Sequence, residues 1–478
     1  MTTAQRDVPC TGLVNHSPRP ILAPLTTIEA ELRRLLDDES VLPGDTAAYL
    51  SDETETRGVH GRADAVCRPA DAEGAAAVVA WCYDRDVPIV PRGGGTGYAG
   101  GSVPIEGGVV VSLERLDRVR RFDPLLWRIQ VEAGVTTARL HRLARESGLY
   151  FPPDPGAAEQ SHVGGNVATN AGGPHAFKYG VTGAWVTGLE AVVAPGELVA
   201  FGGPIRKDVA GYDLRAALVG SEGTLGLVTA AWLRLVPAPE AACPVVGFYP
   251  DARSGCTAIE AVLGNGLLVA ALEFLDEGAL AAAGAALGGV PADARFMVLA
   301  EADGERAEAE RLQAAAAEVL GVGAVQVIAP TDPGEIARIW RWRDGVSIAV
   351  SAQRGGKVSE DIVVPLDRLL EAIERTWEIG HRHALPSCSW GHAGDGNLHS
   401  TFMIEPGSAD ELERARAASE ELFALAVELG GSISGEHGLG YVKSGHLARQ
   451  WSPRALALHH ELKRAFDPKG LFNPGKKT

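Results

Sequence analysis

Two histidines flank a predicted tight turn in the second half of the chain, in the run GHAGDGNLH at residues 391–399. Asp-Gly is a strong signal for a two-residue hairpin turn, and such a turn would place His392 directly opposite His399. Opposed residues have Cβ atoms roughly 4.5–5.5 Å apart, so both imidazoles could reach one divalent ion. Histidines at a turn also serve as plain polar contacts, and the pattern alone leaves both interpretations open.

The tetrapeptide GEHG at residues 435–438 offers a third ligand, the carboxylate of Glu436, beside a further imidazole at His437. Two histidines and one carboxylate leave coordination positions open for a substrate, which suits a catalytic metal site better than a structural one. Removing a hydride from a C–H bond requires the attached hydroxyl to lose its proton, and a near-neutral imidazole can accept that proton.

Glycine clusters dominate the first half of the chain. They are PRGGGTGYAGGSVP at 91–104, GGNVATNAGG at 164–173 and GSEGTLG at 220–226, with PPDPG at 152–156 leading to the second. Glycines let successive backbone N–H groups approach an anion closely, so the first cluster predicts a pyrophosphate cradle rather than a merely tight turn. Three clusters could wrap an elongated cofactor.

The spacing Gly95-x-Gly97-x-x-Gly100 formally matches the dinucleotide fingerprint of a Rossmann fold. Only residues 102–108, with Pro104 among them, separate the loop from the next predicted strand. That stretch is too short for the crossover helix of a βαβ unit, so the context excludes a Rossmann site.

Composition limits the possible partners and compartment. The net charge of −17 argues against a nucleic-acid partner and against membrane docking by charge. The six cysteines form no CxxC pair, which argues against an iron–sulfur cluster in this chain and against a disulfide scaffold, so a cytoplasmic location is expected. The longest uncharged stretch, residues 278–292, is shorter than the ~20 residues of a membrane span, so no integral membrane segment is expected.

The ordered set of glycine motifs resembles the FAD domain of the vanillyl-alcohol oxidase/p-cresol methylhydroxylase superfamily. Within it, residues 40–475 are similar to the FAD-linked oxidases, which include glycolate oxidase flavoprotein subunits, D-lactate dehydrogenases and D-2-hydroxyglutarate dehydrogenases. The resemblance implies oxidation of a small D-2-hydroxy acid to the 2-oxo acid, with hydride transfer to flavin N5. Relatives with a covalent flavin carry histidine where this chain has Thr96, so non-covalent FAD is expected.

The resemblance also implies a set of cofactor-binding residues. They are Arg92, Gly93, Gly94, Gly95, Thr96, Gly97, Pro152, Ser161, Gly165, Asn166, Thr169, Asn170, Gly172, Glu222, Val228 and Asn473. Residues 92–96 would cradle the pyrophosphate, whereas Glu222 and the backbone near Val228 would meet the adenosine or ribose.

By the same resemblance, a divalent metal such as zinc, iron or manganese is held by three ligands, and a histidine is the base. The ligands are His392, His399 and Glu436, and the base is His437. Arg343 and Lys357 match the basic residues that bind the substrate. Ser347, four residues beyond Arg343, is expected to add a hydroxyl contact.

The substrate itself stays open. Relatives specific for longer diacids tend to have asparagine two residues after the second histidine, where this chain has Thr401. Glycolate, lactate and 2-hydroxyglutarate are therefore all retained as candidates.

The helices and strands predicted around these residues indicate an α+β fold. It comprises a two-part FAD-binding domain of the p-cresol methylhydroxylase type and an antiparallel-sheet substrate (cap) domain with helices. The predicted divisions are an N-terminal arm and first helix (1–40), the FAD-binding domain (41–238), the substrate domain (239–430) and a C-terminal segment that returns to the FAD site (431–478). The second boundary follows Pro237 and Pro239, which end a strand.

Periodicity predicts the individual elements. Helices are expected at 71–84, 137–147, 279–287, 305–320 and 455–466. Strands are expected at 87–90, 109–113, 128–131, 188–193, 225–235, 267–274 and 295–300.

Two alternative functions are kept. The first is an oxygen-using oxidase of the same family, or a member whose flavin performs a non-hydride step. The second is a non-catalytic flavin-binding subunit of a larger complex. Because no cluster motif is present, electrons would leave through a separate iron–sulfur or electron-transfer protein.

Overall fold

The structure, a computed structural model, describes residues 25–54 and 57–477. The arm predicted at residues 1–24 therefore lies outside the described residues.

Strands and helices alternate along the described chain. The strands are β1 (Val41–Pro43), β2 (Ala65–Cys67), β3 (Ile89–Arg92), β4 (Val109–Ser112), β5 (Val119–Asp123), β6 (Arg128–Glu132), β7 (Leu149–Tyr150), β8 (Val186–Val193), β9 (Glu197–Gly202), β10 (Leu227–Arg234), β11 (Val236–Pro237), β12 (Ala241–Tyr249), β13 (Ala271–Leu275), β14 (Phe296–Gly304), β15 (Gln326–Ile328), β16 (Gly356–Val363), β17 (Ser387–His392) and β18 (Asn397–Ile404). The helices are α1 (Leu25–Leu35), α2 (Ala72–Asp84), α3 (Thr137–Glu146), α4 (Val163–Thr169), α5 (Ala176–Tyr179), α6 (Leu214–Leu218), α7 (Ala252–Gly264), α8 (Glu277–Leu287), α9 (Arg306–Leu320), α10 (Pro333–Asp344), α11 (Val346–Arg354), α12 (Leu369–Arg382), α13 (Ala409–Glu428), α14 (Leu447–Gln450) and α15 (Pro453–Phe466).

The predicted helices are confirmed to within a few residues, and local chemistry fixes their ends. Asp71 caps α2 by accepting a hydrogen bond from the Gly74 N–H at 2.7 Å. Gly148 follows α3 with φ +67°, a left-handed conformation that glycine adopts without strain. The strand predicted at 267–274 begins later, at Ala271, because the preceding residues close the end of α7, where the Leu267 N–H donates to the Val262 carbonyl.

Two larger sheets build the first half, and β7 pairs with β11 in a separate two-stranded sheet. The four-stranded sheet has the order β1-β2-β4-β3, and the five-stranded sheet has the order β5-β6-β10-β8-β9. Strands β3 and β4 run parallel, yet residues 93–108 between them contain no helix. The connection is therefore the glycine loop alone, as the sequence context indicates.

A seven-stranded sheet organises the second half, in the order β15-β12-β14-β13-β17-β18-β16, with every neighbouring pair antiparallel. Helices cover both of its faces, and successive residues of β12 enter different cores: Val245 packs in one and Val246 in the other. The predicted antiparallel sheet with helices is confirmed.

The end of the described chain returns to the first half. Phe472 forms a parallel bridge with Ile89 on β3 and is fully buried in the core beneath that strand. The Asn473 N–H donates to the Ile89 carbonyl at 2.7 Å. The strand that leads into the glycine loop is thus completed by residues almost 400 positions later.

Candidate active site

The hairpin that carries the two histidines has a different register from the predicted one. His399 on β18 lies opposite Trp390, not His392, and His392 lies opposite Glu273 on β13. The predicted two-residue turn is wrong, because residues 393–395 form a 3₁₀ turn that ends at Gly396 with φ +66°. Gly396 packs closely against Val364, whose carbonyl oxygen would lie 2.0 Å from a Cβ at this position.

The two imidazoles nevertheless meet. His392 lies two residues from Trp390 on the same strand, so its side chain projects from the face that carries His399. Their ring centroids are 5.5 Å apart. The predicted pair therefore forms diagonally across the hairpin rather than directly.

Glu436 completes a group of three potential ligands. Its Oε1 atom lies 3.3 Å from His392 Nε2 and 3.6 Å from His399 Nε2. One donor atom from each residue lies within 4.8 Å of the others, and the buried Nδ1 atom of His399 has no hydrogen-bond partner among the described residues. This set of two imidazoles and one carboxylate fits a divalent ion.

Glu273 orients one of these ligands, and sequence reasoning missed it. Its fully buried carboxylate bonds His392 Nδ1 at 2.7 Å and accepts from Arg343 Nε at 2.7 Å. This contact directs the Nε2 atom of His392 toward Glu436, the usual arrangement for a metal-bound imidazole. A single charged residue inside the otherwise apolar strand β13 was the available signal.

The predicted base stands beside the ligand group. The ring of His437 stacks on His399 with a centroid distance of 5.2 Å and lies 4.9 Å from the ring of Tyr98. Burial lowers the pKa of His437. Its imidazole is therefore neutral at pH 7 and able to accept a proton.

Two cations face the same cavity from neighbouring elements. Arg343 near the end of α10 is held by Glu273, whereas Lys357 on β16 donates to the Ser347 carbonyl at 2.9 Å and also to its hydroxyl. The Lys357 ammonium lies 5.0 Å from the centre of the Trp390 ring. Burial lowers the pKa of Lys357 to about 8.

The glycine loops form the opposite wall of one cavity of about 1150 Å³, so both halves of the predicted site face a common space. Gly97, Gly101 and Gly165 line it, and none of the three has a left-handed φ. An added Cβ would meet nothing within 4 Å, except Asp52 Oδ2 at 4.0 Å from Gly97. Neither conformation nor packing requires glycine there, which fits close approach of a ligand to the backbone.

Arg92 supports the loop from behind. Its guanidinium donates to the carbonyls of Ala48 and Ser51, both at 2.9 Å, and a Cβ at Gly95 would lie 2.2 Å from its Nη2 atom. The guanidinium of Arg92 is thus hydrogen-bonded to the protein itself. The part of the loop that an anion would contact is its backbone.

Most of the predicted cofactor residues line the cavity. These are Arg92, Gly93, Gly94, Gly95, Thr96, Gly97, Ser161, Gly165, Asn166, Thr169, Gly172, Glu222 and Val228. Three do not: Pro152, Asn170 and Asn473. Asn170 instead accepts from the Gly183 N–H at 2.8 Å, and Asn473 donates to the carbonyls of Gly101 and Glu222, both at 2.8 Å.

Glu222 joins the first half to the segment that follows the base. Its carboxylate accepts from the Leu439 and Gly440 N–H groups at 2.9 and 2.6 Å and pairs with Lys477 at 2.9 Å. Both oxygens are therefore occupied by protein donors, and Gly438 allows the approach, since a Cβ there would lie 2.9 Å from the carboxylate.

Comparison with known proteins matches both halves of the chain. Residues 238–477 match the family described as FAD linked oxidases, C-terminal domain, and residues 63–202 match an FAD binding domain. Glycolate oxidase subunit GlcD of Bacillus subtilis (strain 168) is 36% identical over 415 residues, covering 86% of this chain and 88% of the relative. This chain belongs to the FAD-linked oxidase family.

Other relatives of this FAD-linked oxidase carry related names. D-lactate dehydrogenase of Anaerostipes hadrus is 32% identical, covering 87% of this chain and 89% of the relative. The mitochondrial D-2-hydroxyglutarate dehydrogenase of Rattus norvegicus is 34% identical, covering 88% and 79%. The fold is that of p-cresol methylhydroxylase, whose structure superposes with a TM-score of 0.77 at 16% identity, covering 94% of this chain and 96% of the other. The enzyme is thus an FAD-dependent oxidoreductase.

Proposed function

We propose that this FAD-linked oxidase oxidises a small D-2-hydroxy acid to the corresponding 2-oxo acid. The observation that carries the proposal is the shared cavity, where the FAD loops face the cluster of His392, His399, Glu436 and His437. Relatives named for glycolate, D-lactate and D-2-hydroxyglutarate support the substrate class.

Each group in the cluster has one chemical task. When bound, FAD accepts a hydride at its N5 atom. His437 takes the hydroxyl proton of the substrate, and a divalent ion on His392, His399 and Glu436 would lower the pKa of that hydroxyl. Lys357 and Arg343 bind the substrate carboxylate, with Arg343 held in place by Glu273.

The decisive experiment is an anaerobic screen that follows bleaching of the flavin by D- and L-2-hydroxy acids. Reduction by a D-2-hydroxy acid supports the proposal, whereas a flavin that no member of the panel bleaches contradicts it and favours a non-catalytic subunit. Rapid reoxidation by air would favour an oxygen-using oxidase. Slow reoxidation with turnover on an artificial dye would favour a dehydrogenase that passes electrons to a separate protein.

We propose that FAD is bound without a covalent link, because this chain has Thr96 where relatives with a covalent flavin carry a histidine. The purified protein should be yellow, and acid or heat should release its FAD into the supernatant. Absorbance of the pellet and supernatant at the flavin maximum measures the partition. Flavin that stays with the precipitated chain would show a covalent link.

Substrate binding should weaken at alkaline pH because burial lowers the pKa of Lys357 to about 8. Below that pH the ammonium is charged and attracts the carboxylate; above it the charge is lost, so KM should rise roughly tenfold per pH unit. Steady-state KM between pH 6.5 and 9.5 measures the effect.

Replacing the ammonium tests the same assignment directly. Lys357→Met should lower kcat/KM by roughly 10–150-fold, the equivalent of about 1.5–3 kcal/mol, and remove the alkaline rise in KM. Lys469→Met, a lysine outside the cavity wall, is the control. An alkaline rise that persists in Lys357→Met would place the carboxylate elsewhere.

We also propose that the domains divide at residues 40, 238 and 430. A cytoplasmic location is proposed as well. Across residues 25–54 and 57–477, no helix combines the length and apolar character needed to cross a bilayer. Of the six cysteines, the five that the structure describes are buried and free.

A further inference from the structure

Asp361 is a buried carboxylate whose hydrogen bonds converge on the loop that carries Glu436 and His437. It lies on β16 opposite His399 and is fully buried. Its Oδ2 atom accepts the backbone N–H groups of Gly435, Glu436 and His437 at 2.8, 3.0 and 3.0 Å. Three consecutive N–H groups on one oxygen fix the course of the loop backbone.

The same carboxylate also accepts hydrogen bonds from two side chains. The Ser434 hydroxyl donates to Oδ2 at 2.9 Å, and the Asn397 side-chain amide donates to Oδ1 at 2.7 Å. The Lys443 ammonium lies 3.7 Å from Oδ2 and donates to the Asp361 carbonyl at 2.8 Å. The carboxylate is therefore surrounded by donors.

This environment favours the charged carboxylate. Burial alone would raise the pKa of Asp361, but the Lys443 ammonium and the backbone N–H bond from His437 hold it well below its usual range. Asp361 also lies within ligand distance of His399 and His437. Five hydrogen bonds converge on its two oxygens, so in this structure Asp361 acts as a hydrogen-bond acceptor.

We propose that Asp361 is a positioning residue, which sets the placement of Glu436 and His437 through their own backbone N–H groups. Asp361 does not line the cavity, so it acts on both residues without contact with a substrate bound there. The roles of Glu436 as ligand and His437 as base rest on the proposed function. The placement itself rests on the hydrogen bonds.

The test compares two buried aspartates in the FAD-loaded full chain. Asp361→Asn keeps the shape of the side chain but loses its charge and turns an N–H₂ group toward donors. The control, Asp276→Asn, also alters a fully buried acceptor, which takes the Ala279 and Ser389 N–H groups at 2.9 and 2.7 Å. Asp276 does not line the cavity.

Three measurements separate positioning from general stability. Hydrogen exchange in peptides that span residues 434–438 should be at least about tenfold faster in Asp361→Asn only. Affinity for Mn²⁺, by calorimetry, should fall by about 10–100-fold in Asp361→Asn only. The limiting rate of anaerobic flavin reduction should fall by a similar factor, while the substrate concentration for half-maximal rate stays within about twofold. If Asp361 only stabilised the fold, both variants should have a lower melting temperature. Asp361→Asn should then not combine a lower limiting rate with an unchanged half-maximal substrate concentration.

Unchanged exchange at residues 434–438 in Asp361→Asn, with Mn²⁺ affinity equal to that of the control, would overturn the inference. If the wild type takes up no Mn²⁺, the metal assignment fails on its own, and the positioning role is decided by exchange and reduction rate. If Asp361→Asn does not retain FAD, Ser434→Ala removes one of the four donors on Oδ2. In Ser434→Ala, exchange at the same three amides should also be faster, but by a smaller factor than the one expected for Asp361→Asn. Unchanged exchange at these amides would also count against the inference.

Discussion

His437→Ala should slow reduction of the flavin by substrate by ~10²–10⁴-fold, the usual effect of removing a general base. Burial lowers the pKa of this imidazole, so it is neutral at pH 7, and its ring packs against those of His399 and Tyr98. Stopped-flow reduction under anaerobic conditions measures the rate directly.

The same variant should keep its FAD and its metal, since His437 supplies no ligand in the proposed site. His446→Ala is a matched control, because His446 pairs with Glu420 and does not line the cavity. A His437→Ala enzyme that reduces its flavin as fast as the control would mean that another group takes the proton.

Loss of any one metal ligand should nearly abolish reduction. His392→Ala, His399→Ala and Glu436→Ala each leave two of the three donor groups, so bound metal should fall below one ion per chain. Elemental analysis after dialysis and stopped-flow reduction together measure the effect.

The outcome separates these variants from His437→Ala, which should lose rate but not metal. Thermal unfolding of each variant is the control for folding. A wild-type enzyme without divalent metal, whose activity survives chelators, would rule out the metal site. The histidines would then be hydrogen-bonding residues near the flavin.

The sequence predicted the members of the site better than their arrangement. His392 and His399 were predicted from the Asp-Gly turn between them, Glu436 and His437 from the pair in GEHG, and the roles of all four from the family resemblance; the structure brings these four side chains together. The register of the hairpin was wrong because turn preference was the only guide, whereas packing of Gly396 against Val364 selects the longer turn.

Residues that act on the site from other strands could not be found in the same way. Glu273 and Asp361 lie 119 and 75 positions from the residues they orient, His392 and Glu436. Glu273 is the one acidic residue in the apolar strand β13, whereas Asp361 follows Glu360 in the mixed strand β16, and either residue is compatible with many partners until the sheet order is known. Likewise, Arg92 was predicted to help cradle the pyrophosphate, but its bonds to backbone carbonyls depend on a segment more than 40 residues earlier, which the sequence could not indicate.

The bridge between Ile89 and Phe472 has a consequence for how the enzyme is made. A ribosome adds roughly 5–20 residues per second, so β3 emerges about 20–75 s before the residues that complete its edge. The edge of the strand that leads into the glycine loop stays unpaired during that interval. The contacts of Phe472 and Asn473 with Ile89 can therefore form only after nearly all of this sequence has been synthesised.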